Sequence, residues 1–216
     1  MSFSKKNAAV IRFPGTNCDQ DVFDYVKAHG FETQFIWHTD QFKIQDYDFC
    51  FLPGGFSYGD YLRTGALAAL SPVMRSVKEF AEKGKPVLGI CNGFQILCEA
   101  GLLDGALVRN DHLKFVDDWV QLNCENENSF FGPFEKKQSY RIPIAHGDGR
   151  FFATDDQIKK IEDNGQVWLR YGKNPNGSIK DIAGITNKNK NVCGLMPHPE
   201  RAFLDWMGSK DGWSFL

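Results

Sequence analysis

The sequence predicts an α/β domain in which a mostly parallel β-sheet carries helices on both faces. Two observations lead to this prediction. Short apolar runs alternate with helix-like segments in the first half of the chain, and several of those runs end in glycine turns. A strand, a turn and a helix in that order are typical of parallel sheets. The length of 216 residues suits one such unit, so we expect a single domain over residues 1–216.

The first half of the chain follows this alternation closely. The runs that indicate strands are residues 8–13, 32–38, 48–55 and 85–90. A helix is expected between the first two runs, ending at Gly30. Helical segments are also expected between Arg63 and Lys83, restarted at Ser71-Pro72, and another helix, FQILCEAG, should follow the fourth run.

The second half is less regular and contains more strands than helices. The stretches that indicate strands are residues 119–126, 140–152, 167–172 and 181–187. A capped helix is expected at 154–165, and the last buried run, VCGLMPHPE, spans 192–200. We therefore expect the chain to return to the reactive end of the sheet near its carboxyl terminus.

The composition argues against several classes of protein. The formal net charge is −2 and the basic residues are dispersed, so we predict no nucleic-acid partner. No apolar run is long enough for a membrane span, and too few apolar residues precede Pro14 for a signal peptide. The six cysteines show neither a CxxC pair nor zinc spacing, so we expect reduced thiols, no metal site and a cytoplasmic protein.

Cys91 is the first candidate for chemistry, because in GICNGFQ it lies between two glycines, after an apolar run and before a helix. This is the spacing of a nucleophile elbow, in which a strained strand-to-helix turn exposes the central side chain. Helix-start amides and a neighbouring imidazolium favour a thiolate there. We therefore predict a nucleophile for acyl transfer. The alternatives are a buried core thiol at position 91, or Cys18 as the nucleophile in the first turn of the first helix.

The proton partner is predicted to be His198, in the segment MPHPE. The two prolines favour extended backbone, in which His198 and Glu200 face the same side. Glu200 is then placed to orient the imidazole, as in a Cys-His-acid triad. His146 with Asp148, in AHGDG, remains the alternative base and orienting acid.

Acyl transfer also needs amide donors for the oxyanion of its tetrahedral intermediate. One candidate is the N–H of Asn92, directly after the nucleophile, and the other is the N–H of Gly55, in the turn after the neighbouring strand. The sequence PGG alone is compatible with an ordinary loop. Its combination with GxCxG is what indicates an oxyanion hole.

Taken together, LPGG, GICNGFQ and MPHPE resemble the class I glutamine amidotransferases, whose glutaminase domain releases ammonia from glutamine. The longer stretches RFPGTNCDQD, LPGGFSYGDYLRTGA, PIAHGDGRF, IAGITN and GLMPHPERAF are similar to one family among them, the glutaminase subunits of phosphoribosylformylglycinamidine synthase. The resemblance covers nearly the whole chain. It implies a flavodoxin-like, class I glutamine amidotransferase fold and a place in de novo purine biosynthesis.

The resemblance also implies roles for individual residues. Cys91 would attack the carboxamide of glutamine, His198 would transfer the protons, and Glu200 would hold His198. The positions that match the family's oxyanion amides and its glutamine-contacting residue are Gly55, Asn92 and Gln95. The loop ENENSFFG lies where relatives hold the amino-acid end of the substrate, which makes Asn128, Ser129 and Phe130 candidates.

Partners follow from the same resemblance. In this family the ammonia passes to a large synthetase subunit, which uses ATP and magnesium to convert formylglycinamide ribonucleotide to formylglycinamidine ribonucleotide. Bacterial-type complexes add a small bridging subunit. The chain lacks GxxxxGK[ST], so no cofactor is expected on it. The loop FSYGDYLRTGA, residues 56–66, is either a docking surface for a partner or simply a packed loop.

Two other functions remain as alternatives. The first is a glutaminase that serves another ammonia-using synthetase, against which PGTNCD and AHGDGRF argue. The second is a non-catalytic glutamine sensor of the same fold, against which the complete triad argues. The sequence GDG departs from the GEG common in this family, and that change affects the surroundings of His146.

Overall fold

The computed structural model describes residues 6–216, and residues 1–5 of the expected domain lie outside the described part. Its strands are β1 (Asn7–Arg12), β2 (Glu32–Trp37), β3 (Phe49–Leu52), β4 (Val87–Ile90), β5 (Ala106–Val108), β6 (Val116–Cys124), β7 (Tyr140–His146), β8 (Arg150–Phe152), β9 (Val167–Tyr171), β10 (Ile182–Thr186) and β11 (Val192–Leu195). Its α-helices are α1 (Asp19–Ala28), α2 (Ala66–Ala69), α3 (Val73–Glu82), α4 (Asn92–Glu99) and α5 (Asp155–Asp163).

Nine of these strands form one sheet, in the order β2-β1-β3-β4-β11-β10-β9-β6-β7, and β5 pairs with β8 separately. The first five strands of that order run parallel. Every residue of β3, β4 and β11 is buried, as expected for strands covered on both faces. The predicted α/β fold is therefore confirmed, and β11 returns to the middle of the sheet as expected.

The remaining strands, β10, β9, β6 and β7, extend the sheet in antiparallel fashion. Burial alternates along β7, which is typical of a strand with one covered face. The short strand β5 was not predicted, since its three residues are only half-buried. Pro72 lies at the N-cap of α3, and the Ser71 hydroxyl interacts with the Tyr58 hydroxyl at 2.9 Å, so the expected serine cap does not form.

Aromatic side chains join the strands of both sheets and the helix after Cys91 into one core. Phe94 on α4 stacks on Phe151 of β8 with ring centroids 6.0 Å apart. Phe51 of β3 meets Phe131 edge-on, and the Trp168 indole donates to the Gly132 carbonyl at 2.8 Å. The loops at the ends of these strands are therefore held on a shared, tightly packed support.

Within residues 6–216, no helix is long and apolar enough to cross a membrane.

Candidate active site

Cys91 lies at the junction of β4 and α4, at the carboxyl end of a central parallel strand. Its backbone adopts φ 51° and ψ −107°, an unusual conformation for a residue with a side chain. The Cys91 N–H donates to the Leu195 carbonyl at 2.8 Å, which ties the turn to β11. The predicted nucleophile elbow is therefore present in the structure, with Cys91 as the residue at its apex.

The glycine at position 93 is required because α4 packs very closely on β3. A Cβ added to Gly93 would overlap the Leu52 carbonyl, so no other residue fits without moving the helix. This close approach brings the amino-terminal end of α4 against the end of β3. The turn that follows β3, and with it Gly55, is thereby held beside Cys91.

His198 and Glu200 follow β11 and are both almost completely buried. His198 Nδ1 lies 2.6 Å from Glu200 Oε1, and no hydrogen bond within the described chain engages His198 Nε2. Burial alone disfavours the charged ring, but the Glu200 carboxylate and the adjacent Cys91 thiol raise the pKa of His198 to about 10. Glu200 therefore stabilises the imidazolium that forms when the ring takes the proton of Cys91, and the structure brings all three predicted triad residues together.

Gly54 lies beside both the His198 imidazole and the Cys91 side chain, where there is no room for a side chain. A Cβ built at Gly54 would lie 2.8 Å from His198 Cε1 and 3.3 Å from Cys91 Cβ. Those distances show that the PGG turn packs directly against the imidazole and against Cβ of the nucleophile. The glycine turn after β3 is therefore part of the site and not an ordinary loop.

The two predicted oxyanion amides flank the nucleophile. Gly55 lines the same cavity as Cys91, and Asn92 begins α4, where backbone N–H groups have no partner inside the helix. The Asn92 side chain accepts a hydrogen bond from the Ser57 N–H at 3.2 Å and donates to Gln95 Oε1 at 2.8 Å. Asn92 therefore fastens the loop after Gly55 to the elbow, which fixes both amides relative to the thiol.

A cavity of about 190 Å³ opens directly onto Cys91. It is lined by Gly55, Phe56, Asp60, Thr64, Cys91, Gln95, Arg109, Phe115, Ala145, His146, Gly147 and Asp148. The thiol lies 3.8 Å from the Ala145 carbonyl, on the wall that β7 provides. Asp60, Arg109 and Phe115 are not predicted site residues: Arg109 and Phe115 lie outside the quoted stretches, and Asp60 lies in the loop 56–66, which is expected to dock a partner or to pack.

Gln95, the predicted glutamine-contacting residue, is at the cavity, but both ends of its carboxamide are engaged. Its Oε1 accepts from Asn92, and its Nε2 donates to the Asp148 carbonyl at 2.7 Å. Gln95 thus ties the helix that begins at the nucleophile to the loop after β7. In this structure it shapes the cavity wall, and a contact with substrate remains a prediction.

His146 lies in the cavity wall, but Asp148 does not orient it, contrary to the alternative considered from the sequence. The Asn110 side chain donates to the Lys114 and His146 carbonyls, each at 2.9 Å, and its Oδ1 accepts from the Gly149 N–H. Asn110 Oδ1 also lies 3.2 Å from His146 Nδ1, which must therefore be the protonated nitrogen. Burial and the His198 charge lower the pKa of His146 to about 4. His146 is consequently neutral, with the Nε2 lone pair free.

Cys18, the rival nucleophile, lies beside the triad but does not line the cavity. Its thiol accepts a hydrogen bond from Arg201 Nη2 at 3.2 Å. Burial and the Glu200 carboxylate raise the pKa of Cys18 well above the ordinary value, against the expectation that helix-start amides would lower it. Among the described residues, donor atoms of Cys18, His198 and Glu200 lie within 4.8 Å of one another. Because His198 and Glu200 are already hydrogen-bonded together and the Cys18 thiol accepts from the Arg201 cation, this cluster does not fit a metal centre.

The three candidates from the loop ENENSFFG are not at this cavity. Asn128 donates to the Lys190 carbonyl at 2.7 Å, and its Oδ1 accepts from the Phe130 and Phe131 N–H groups. Ser129 and Phe130 line a different hollow, together with residues of β3 and of the turn after α1. The loop is therefore folded onto itself and onto the turn before β11. The predicted contact with the substrate's amino-acid end is corrected: the structure offers no such contact from this loop.

Comparison with known proteins agrees with this geometry. The family model of the CobB/CobQ-like glutamine amidotransferase domain matches residues 5–213. The solved structure of PurLQS from Thermotoga maritima is 47% identical, with a TM-score of 0.88, over 97% of this chain and 95% of that chain. A glutamine amidotransferase from the same organism shares the fold at 19% identity and a TM-score of 0.64, over 93% of this chain and 78% of that one. The chain therefore belongs to the CobB/CobQ-like glutamine amidotransferase domain family.

Proposed function

We propose that this chain is the glutaminase subunit of a phosphoribosylformylglycinamidine synthase in de novo purine biosynthesis. It hydrolyses glutamine to glutamate and ammonia. The observation that carries the proposal is the Cys91-His198-Glu200 arrangement at the end of β4 and β11, in a chain 47% identical to the PurLQS relative. A sensor that had lost its activity would not need an intact triad, and this one is complete.

The reaction divides into two acyl transfers. Cys91 attacks the carboxamide carbon of glutamine while its proton passes to His198, and the oxyanion that forms is bound by the Gly55 and Asn92 amides. Collapse of this intermediate breaks the C–N bond, and His198 donates the proton to the departing ammonia. Water, deprotonated by His198, then attacks the thioester and releases glutamate. Glu200 holds the imidazole in the tautomer and orientation that both steps need.

The ammonia is delivered to a large synthetase subunit, and a small bridging subunit completes the assembly. We expect the loop of residues 56–66 to contact the synthetase, because Phe56 lines the cavity while Tyr61 and Leu62 beside it are 74% and 85% exposed. Exposed apolar side chains next to a reactive cavity are typical of interaction surfaces. This supports docking, the first of the two roles considered for the loop.

The chain itself is proposed to work without a cofactor, while ATP and magnesium bind the synthetase. All the groups needed for amide hydrolysis are present as side chains and backbone amides, which supports this division of labour. We further propose that the enzyme acts in the cytoplasm. All six cysteines are free, as is usual in a reducing compartment.

The proposal is tested by intact-mass analysis after incubation with a diazoketone analogue of glutamine. We expect one adduct on the wild-type chain, protection by excess glutamine, and no adduct on Cys91→Ser. Cys18→Ser is the matched control and should be labelled like the wild type. If the free chain is unreactive, the same experiment is run with the synthetase subunits. Absence of an adduct there, or an adduct that survives Cys91→Ser, would contradict the proposed mechanism.

A further inference from the structure

Two buried acceptors in the Cys91 cavity have no hydrogen-bond partner within the described chain. One is Oδ1 of Asp60, and the other is Nε2 of His146, whose side chain is 3% exposed. Buried polar atoms are rarely left without a partner, because each such atom has lost its hydrogen bonds to water. A ligand with N–H groups of its own could therefore satisfy both acceptors.

The charges that line this cavity do not balance. Asp60 and Asp148 are carboxylates and Arg109 is the one guanidinium among the lining residues, which leaves one excess negative charge. Arg109 lies 3.6 Å from Asp148, so the carboxylate without a cation is Asp60. Burial and the charge of Asp148 raise the pKa of Asp60 to about 6. A cationic ligand group near Asp60 would relieve this unfavourable arrangement.

The backbone holds Asp60 in a conformation that most residues avoid. Its φ is 57°, at the end of the turn Ser57–Asp60, a region that aspartate and asparagine tolerate better than most residues. On the opposite wall, the carbonyl of Asp148 is fixed by Gln95, whose helix begins at the nucleophile. Asn92 accepts from the Ser57 N–H at the start of the same turn, so the segments that carry the two aspartates are both tied to the helix that follows Cys91.

We infer that Asp60 and Asp148 bind the α-ammonium group of the amino-acid substrate and that Arg109 contacts its α-carboxylate. The inference rests on the proposed glutaminase function and assigns the recognition of the amino-acid end, which the loop at 125–132 does not provide. Glutamine brings the missing donors, three N–H groups on its ammonium and two on its carboxamide. The charged end of the cavity and the thiol end then match the two ends of one small molecule.

The test compares glutamine with glutaramate, which keeps the carboxamide and the carboxylate but lacks the ammonium group. Ammonia release from both is measured for the wild type, Asp60→Asn and Asp148→Asn, with the synthetase subunits present throughout. Asparagine keeps the shape of the side chain and tolerates the backbone at position 60. The matched control is Asp205→Asn, an aspartate whose side chain is 86% exposed and lies outside the cavity.

We expect Asp60→Asn to lower kcat/KM for glutamine roughly 10- to 100-fold, mainly through KM, as is usual when a charged hydrogen bond is lost. Its kcat/KM for glutaramate should stay at the wild-type value, because that substrate has nothing for Asp60 to bind. Asp148→Asn should behave in the same way to a smaller degree. By contrast, Arg109→Gln should lower kcat/KM for both substrates alike, since both carry the carboxylate.

Equal losses on the two substrates for Asp60→Asn would show a structural role and overturn the inference. So would an unchanged KM for glutamine. A wild-type complex that releases no ammonia from glutamine would overturn the proposed function as well, and the two failures are therefore distinguishable. Thermal unfolding of each variant separates a lost contact from a lost fold.

Discussion

The parallel and antiparallel parts of the sheet contribute different things to the same cavity. The parallel strands carry the groups proposed for the chemistry, with Cys91 after β4, Gly55 after β3 and His198 after β11. The antiparallel strand β7 contributes a wall, through Ala145 and His146, and leads into Asp148. Carboxyl ends of parallel strands converge at one edge, so reactive groups collect there, while loops of the added strands are free to vary and to recognise the substrate.

Among substitutions at the parallel strands, Glu200→Gln should have the largest effect on activity. The His198 pKa should fall, because the carboxylate is the largest factor that raises it, and the orientation of the ring is no longer enforced. We expect kcat for glutamine hydrolysis to drop by about 10³- to 10⁴-fold with little change in KM. Ammonia release at saturating glutamine measures this. A variant that keeps a tenth or more of the activity would remove Glu200 from the proposed triad.

The antiparallel part is best tested at Asn110, which is fully buried and supports the His146 wall. Asn110→Ala removes hydrogen bonds to two carbonyls, one N–H and one imidazole. We expect the free energy of unfolding to fall by roughly 2–4 kcal/mol, because the groups that lose Asn110 as a hydrogen-bond partner remain buried. Denaturant titration gives the value, and Asn174→Ala, at a more exposed loop, should cost less. Equal costs for the two would contradict this view of Asn110.

Gly54→Ala sharpens the comparison because it disturbs the chemistry without removing any catalytic group. The added methyl would lie 2.8 Å from His198 Cε1 and 3.3 Å from Cys91 Cβ, so the imidazole or the PGG turn has to shift. We expect a loss of about 10²-fold in kcat from this misplacement. Ammonia release measures the loss, and Gly84→Ala, where nothing lies within 4 Å, is the control for activity. Full activity in Gly54→Ala would show that the site tolerates this shift.

The smallest effect expected is a pH dependence of recognition. The groups that face Asp60 across the cavity and titrate or carry charge are Asp148, Arg109, Cys91 and His146. Since the pKa of Asp60 is raised to about 6, its carboxylate gains a proton as the pH falls through that value and loses its attraction for an ammonium group. KM for glutamine should therefore rise about tenfold from pH 7 to pH 5. The rise should be absent in Asp60→Asn, and a similar rise in that variant would assign it to another group.

Much of the site around Cys91 was predictable, because close packing there allows only certain residues at neighbouring positions in the sequence. The elbow at Cys91 needs Gly93, since α4 touches the Leu52 carbonyl, and the proline-bracketed His198 needs an acid two residues on. The charged end of the cavity was not predictable in the same way. Asp60 and Asp148 lie in stretches that match the family, but nothing in their local sequence indicates that they meet each other and Arg109 in one cavity.

The errors have the same origin. Asp148 was considered as the partner of His146 because it is two residues away, yet the backbone turn directs it toward Arg109 while Asn110, 36 residues distant, holds the ring. The loop with Asn128 was placed at the substrate by its position in the chain, but its own hydrogen bonds close it against the turn before β11. The number of residues between two side chains predicts whether they contact each other inside a strand or a tight turn. It does not predict contacts within a longer loop.

The sequence by itself determined the α/β class, the nucleophile elbow, the His198-Glu200 pair and the family, because each depends on short-range stereochemistry that only certain residues satisfy. The tertiary structure alone decided that His198 is the more basic of the two histidines at the site and that His146 stays neutral. It also decided which carboxylates lie in the cavity and that the antiparallel strands close its wall. Those properties depend on burial and on charges brought together from distant segments, and neither is present until the chain has folded.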